Sequence, residues 1–104
     1  MKMSFDYQEL ENNVLVWAET KGILAGSTPL AQFTKTAEEV NELLVAIVND
    51  DKPEVIDAIG DIIVTLIIQA ELQGVDAVFC LEQAYNVINK RSGKMVDGVF
   101  VKDD

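Results

Sequence analysis

The chain has 104 residues, 18 acidic and 8 basic, with no histidine, one cysteine and a net charge of −10; 49% of it is hydrophobic and 25% charged. That is enough apolar material for one small folded domain over residues 1–104 and too little length for two. The charge argues against nucleic acid or anionic lipid as a partner, and the missing histidine excludes a Ser–His–Asp triad, a zinc-protease helix and a Glu-x-x-His di-iron bundle.

Four helices are expected in chain order. The first runs from Ser4, as its N-cap, to Lys21, with Gly22 as the stop, and spaces Leu10, Val14 and Trp17 along one side. That stripe makes Trp17 a core residue in preference to a base-stacking one. A loop over Gly26-Ser27-Thr28-Pro29 leads to a second helix from Pro29 to Val48, with Phe33, Ala37, Val40, Leu44 and Ile47 on one apolar stripe. Asn49 to Pro53 form a turn, and Pro53 suits the first turn of a third helix that ends at Gly74. The fourth starts at Asp76 and ends before Gly93. In the tail, Asp97-Gly98 between short apolar runs signals a hairpin, which needs a helical body to pack on.

The third helix carries Val55, Ile56, Ile59, Ile62, Ile63 and Leu66 around its whole circumference. A helix apolar all round is buried all round. Three other short helices cannot enclose it, so the expected fold is an all-α, four-helix-type bundle with a hairpin-like tail, completed as a homodimer or homotetramer. Cys80, between Val78, Phe79 and Leu81, reads as a buried thiol, and a single cysteine fits a reducing compartment. The start has one lysine and then turns acidic, unlike a signal peptide. The longest apolar run, Ile62 to Ile68, is far short of the ~20 residues of a membrane span. A cytoplasmic location is expected.

Two polar tracks bear on chemistry. Lys35, Glu39 and Glu42 lie at helical spacing with Glu38 beside them, facing away from the Phe33–Ile47 stripe. A solvated acidic face is the simplest account of them. Asp57, Asp61 and Thr65 follow each other at i, i+4 on the apolar third helix. A buried, unpaired carboxylate costs several kcal/mol, so these aspartates call for a cation. One divalent ion shared with Glu39 and Glu42 would serve all four. The ligands are hard oxygens, which points to magnesium, with manganese as a substitute. No segment has the spacing of an EF-hand loop.

Lys35-Thr36-Ala37-Glu38-Glu39-Val40-Asn41-Glu42-Leu43, followed by Asp57-Ala58-Ile59-Gly60-Asp61-Ile62-Ile63-Val64, resembles the MazG-like nucleoside triphosphate pyrophosphohydrolases. Trp17 to Leu24 and Asn86 to Lys94 fit the short, phage-type members. The family pattern is Glu-x-x-Glu on one helix and Glu-x-x-Asp on the next. Glu39, Glu42 and Asp61 match it, while Ala58 stands where the second helix's Glu belongs. Asp57, one residue earlier, is the preferred replacement; Glu54-x-x-Asp57 spells the pattern but leaves Asp61 without a role.

The resemblance implies metal ligands Glu39, Glu42, Asp57 and Asp61, and a proton acceptor at Glu38 or Glu42. It implies substrate contacts from Gln32, Lys35, Asn86, Lys90 and Arg91. Lys35 is equally well read as an ion-pair partner of Glu39, and Lys90 and Arg91 as cations suited to a helix C-terminus. The implied reaction is magnesium-dependent hydrolysis of a nucleoside triphosphate to a monophosphate and pyrophosphate. Two alternatives stay open: a non-catalytic acidic interaction module, and a degenerate nucleotide-sensing protein with Ala58 as its lesion.

Overall fold

The computed structural model describes residues 5–103. These form helices α1 (Tyr7–Thr20), α2 (Ile23–Gly26), α3 (Pro29–Val48), α4 (Lys52–Leu72) and α5 (Ala77–Ile88). An antiparallel pair, β1 (Gly93–Val96) and β2 (Val99–Lys102), follows. The expected all-α architecture with a terminal hairpin is present. One helix was not anticipated: α2, a single turn inserted where a continuous loop was expected. None of the described helices is long and apolar enough to cross a membrane.

Local chemistry explains where the helices begin. The side chains of Asp6, Thr28, Asp51 and Asp76 accept from the backbone N–H three residues on, at 2.8, 3.1, 3.2 and 2.8 Å. Such a cap stabilises a helix start by about 1 kcal/mol. Asp6, not Ser4, caps α1; Ser4 lies outside the described residues. Pro29 and Pro53 sit in the first turns of α3 and α4, where a missing N–H costs nothing. In the terminal hairpin, Asp97 and Gly98 both take positive φ, 50° and 84°, the two-residue turn whose twist matches paired strands.

α3 and α4 pack along each other as a helical hairpin, and α1 lies across α4. The faces that meet are not the expected ones. On α3 the buried residues are Gln32, Thr36, Glu39 and Ala46, while Phe33, Val40, Leu44 and Ile47 are all at least half exposed. On α1 the buried positions are Glu11 and Ala18; Leu10 and Trp17 are about half exposed. In both helices the buried face is turned by one residue from the apolar stripe. The chain buries small and polar side chains and turns its large apolar ones outward. α4 behaves alike: Ala58, Thr65, Ile67, Ile68 and Ala70 are buried, but Ile56, Ile59, Ile63 and Leu66 remain exposed. Cys80, expected to be buried, is exposed, and every strand residue of the hairpin is exposed.

Hydrogen bonds hold the polar seam between α3 and α4. Gln32 Nε2 donates to the Thr65 carbonyl at 3.2 Å, and Thr36 Oγ1 donates to Thr65 Oγ1 at 2.9 Å. Thr65 Oγ1 donates onward to the Ile62 carbonyl at 2.7 Å. Thr65→Val should therefore lower stability by about 1 kcal/mol in a denaturant titration. The loss stays small because Thr36 can turn to the Gln32 carbonyl, 3.4 Å away.

Candidate active site

The polar seam leads directly to the carboxylates. One turn beyond Thr36, Glu39 is 7% exposed, so this one carboxylate of the α3 track turns inward while Lys35, Glu38 and Glu42 stay exposed. Lys35 Nζ lies 3.6 Å from Glu39 Oε1, the one ion pair among the described residues. Along α4, burial rises from exposed Asp57 through half-buried Asp61 to buried Thr65. Glu38 and Glu42 are exposed at the rim.

These carboxylates disturb one another. A hydrogen bond shared with Glu42, burial and the charge of Glu42 raise the pKa of Glu39 above its ordinary 4.5, while Lys35 pulls the other way. Burial first, then the charges of Asp57 and Glu39, raise Asp61 above its ordinary 3.8, again against Lys35. Glu39, Asp57 and Asp61 thus form one electrostatic group across the α3–α4 seam. Glu42 joins it through Glu39, and also lines a cavity of about 220 Å³ with Glu54 and Asp51. Glu54, set aside on sequence grounds, is therefore Glu42's acidic neighbour across the helix pair.

A raised carboxylate pKa has a definite sign for stability. Between the ordinary and the raised value the folded chain binds more protons than the unfolded one, so stability falls as pH rises through that window. The magnesium-free protein should melt at a higher temperature at about pH 5 than at neutral pH. Asp61→Asn should flatten this dependence, and so should added magnesium if the group binds it.

Chemically, donors that are all oxygen and that repel one another until neutralised are of the kind a hard divalent cation takes. No three acidic groups among the described residues converge as a ready-made cage. Ala58 is 4% exposed, so the position lacking the pattern's Glu lies within the core and not on the surface. Asp57 lies on the exposed side of it.

Beside Asp61, a cavity of about 340 Å³ is lined by Asn13, Val14, Trp17 and Val64. Trp17 is therefore not a core residue; it is 48% exposed and forms a wall next to the acidic group. Gln32 is occupied in the α3–α4 seam. Asn86 lies in the last turn of α5, which ends at Ile88 instead of just before Gly93, so Lys90 and Arg91 fall beyond the helix; all three are exposed, and neither cation figures among the charges that shift Glu39 or Asp61. Glu11, only 2% exposed, escaped the sequence reading altogether. Its carboxylate accepts from Tyr7 Oη at 2.9 Å, and burial together with Glu11 pushes the Tyr7 phenol up to about 12. The signal was the Tyr7–Glu11 spacing of four, followed by Ala18 on the same face.

Comparison with known proteins fits this arrangement. A protein of Haemophilus phage HP1, described as an uncharacterized 18.2 kDa protein in the rep-hol intergenic region, is 40% identical over 74 residues. The match takes in 70% of this chain and 45% of that protein, so the chain spans less than half of its relative's length. No solved structure matches. The phosphoribosyl-ATP pyrophosphohydrolase family matches residues 24–91, which include α3, α4, α5 and every carboxylate of the acidic group. The chain belongs to the phosphoribosyl-ATP pyrophosphohydrolase family, within the MazG-like nucleotide pyrophosphohydrolase superfamily.

Proposed function

We propose that this protein is a magnesium-dependent nucleoside triphosphate pyrophosphohydrolase acting in the cytoplasm, with Glu39, Glu42, Asp57 and Asp61 as metal ligands. The observation that carries the reading is the pair Glu39, buried, and Asp61, half-buried in the wall of the Trp17 cavity, both with raised pKa. A protein that needed these side chains only for solubility would leave them in water.

Magnesium bound there, or manganese in its place, supplies positive charge against the substrate's phosphates and acidifies the attacking water. The chain's own groups do the rest. Glu42 or Glu38, exposed at the rim, accepts the proton of the water as its oxygen bonds to phosphorus. The bridging α–β phosphate P–O bond breaks, and pyrophosphate leaves with the bond's electron pair. Lys35, paired with Glu39 at 3.6 Å, would balance charge on the phosphates. Trp17, half exposed in the cavity wall, offers a face on which a nucleobase can stack, with Asn13 beside it as a polar partner.

The test is incubation with each nucleoside triphosphate and magnesium, followed by separation of products. Monophosphate and pyrophosphate in equal amounts are expected. Release of orthophosphate alone, or no turnover together with no magnesium-dependent rise in melting temperature, would overturn the reading.

A further inference from the structure

Of the six glycines in the chain, one has no local reason to be glycine. Gly22, Gly74 and Gly98 take positive φ, and Gly26 ends the single turn of α2. At Gly93 a Cβ would collide with Val101 and the Phe100 ring. Gly60 differs from all of them. It lies in the interior of α4 without a positive φ, it is exposed, and a Cβ built on it would meet nothing within 4 Å. Alanine would fit there and hold the helix better, since glycine is the poorest helix former after proline. Neither backbone conformation nor packing within the chain demands glycine at this position. What remains is something outside the chain that comes closer to the α4 backbone than a side chain would allow.

The place of Gly60 says what that is. On the surface of α4 its neighbours one turn away include Asp57 and Val64, and Asp61 follows it directly. Asp61 and Val64 both line the cavity of about 340 Å³ walled by Trp17, Val14 and Asn13. Gly60 thus stands beside that cavity, between the aspartates and the turn of α4 that faces Trp17. A nucleotide with its phosphates at the aspartates and its base on Trp17 has its sugar to span the interval. The N–H and C=O of a residue in a helix interior are spent within the helix, so recognition at Gly60 is a matter of shape. A closely crossing helix of another chain fits less well, because Ile56 and Val64, one turn on either side, would hold its axis away.

We propose that Gly60 is the sugar-binding position of the site: the sugar ring of the nucleotide lies against the α4 backbone there, in the space a side chain would occupy. The inference rests on the pyrophosphohydrolase reading and adds to it a steric contact that governs which substrates enter.

Gly60→Ala tests it with three readouts. The magnesium-free variant should melt about 4–8 °C above wild type, the gain from replacing a helix-interior glycine in a domain of this size. The KM for nucleoside triphosphates should rise about tenfold with kcat nearly unchanged, because the added methyl crowds the nucleotide in ground and transition state alike. Calorimetric titration with inorganic pyrophosphate and magnesium should give the wild-type affinity, since pyrophosphate carries no sugar. A more stable variant with the wild-type KM would show that nothing lies against Gly60, and would overturn the proposal. Weakened pyrophosphate binding would place Gly60 at the phosphates instead and overturn it too. A lower melting temperature, or a smaller sedimenting species, would give the position to another chain and also overturn it. These three failures leave the pyrophosphohydrolase reading standing; a wild type that turns over no nucleotide removes that reading, and the sugar contact with it.

Discussion

Asp61→Asn should abolish magnesium-dependent hydrolysis, by about 100-fold or more, while the protein stays folded. The size follows from several kcal/mol of charge stabilisation attributed to the metal, at 1.36 kcal/mol for each tenfold in rate. The fold survives because Asp61 is only half buried and is held at an unfavourable charge by burial, Asp57 and Glu39. A neutral amide relieves that repulsion, so the metal-free variant should melt slightly above wild type. The two effects have opposite signs and one substitution yields both. A variant with unchanged turnover would remove Asp61 from the site; one that fails to fold would contradict the electrostatic argument. Ala58→Glu is the companion. It restores the family's carboxylate at a position 4% exposed, so it should destabilise the magnesium-free protein and be rescued by the metal. Its activity then reports on Asp57: a fall shows that Asp57 already fills the role, a rise that it does not.

The elements were legible because their signals are local. The cap at Asp76, prolines in first turns, and Asp97-Gly98 between apolar runs each act within a few residues, and α3, α4, α5 and the hairpin formed where those signals lie. The short α2 carries no such mark: its N-cap is Gly22, without a side-chain hydrogen bond. Which face turns inward was not legible in the same way. Periodicity finds the apolar stripe and assigns it to the nearest core, but here the stripe is left exposed on the single chain, so the faces of α1 and α3 were read one residue out of phase. The same fact misplaced Trp17 and Cys80, and hid that Glu39 alone of the α3 track is buried. The carboxylates could be singled out as a group because like charges on neighbouring helix faces need a common remedy. Glu11 was missed because a carboxylate whose partner is a tyrosine hydroxyl one turn earlier looks like any surface glutamate.

Leu44→Asp combined with Ile47→Asp should convert the protein into a monomer and, if the site needs two chains, inactivate it. Both residues are 57% exposed in the single chain. The outcome therefore depends on whether they are surface or interface. For a protein that is monomeric in solution, replacing two half-exposed side chains changes stability within about 0.5 kcal/mol each and leaves activity intact. At an interface the same pair is lost twice, once per chain. Burial of a Leu or Ile is worth about 1.5–3 kcal/mol, so the dimer loses roughly 6 kcal/mol or more, which is four decades in its dissociation constant. Sedimentation at micromolar concentration reads the difference directly: wild type as a dimer or tetramer, the variant at 11.5 kDa. The acidic group is untouched by the substitutions, since Glu39 and Asp61 belong to the opposite, inward face of the helix pair. An inactive monomeric variant thus ties activity to assembly, whereas a wild type that sediments as a monomer would leave the outward stripe of α3 without an occupant and end the dimer argument.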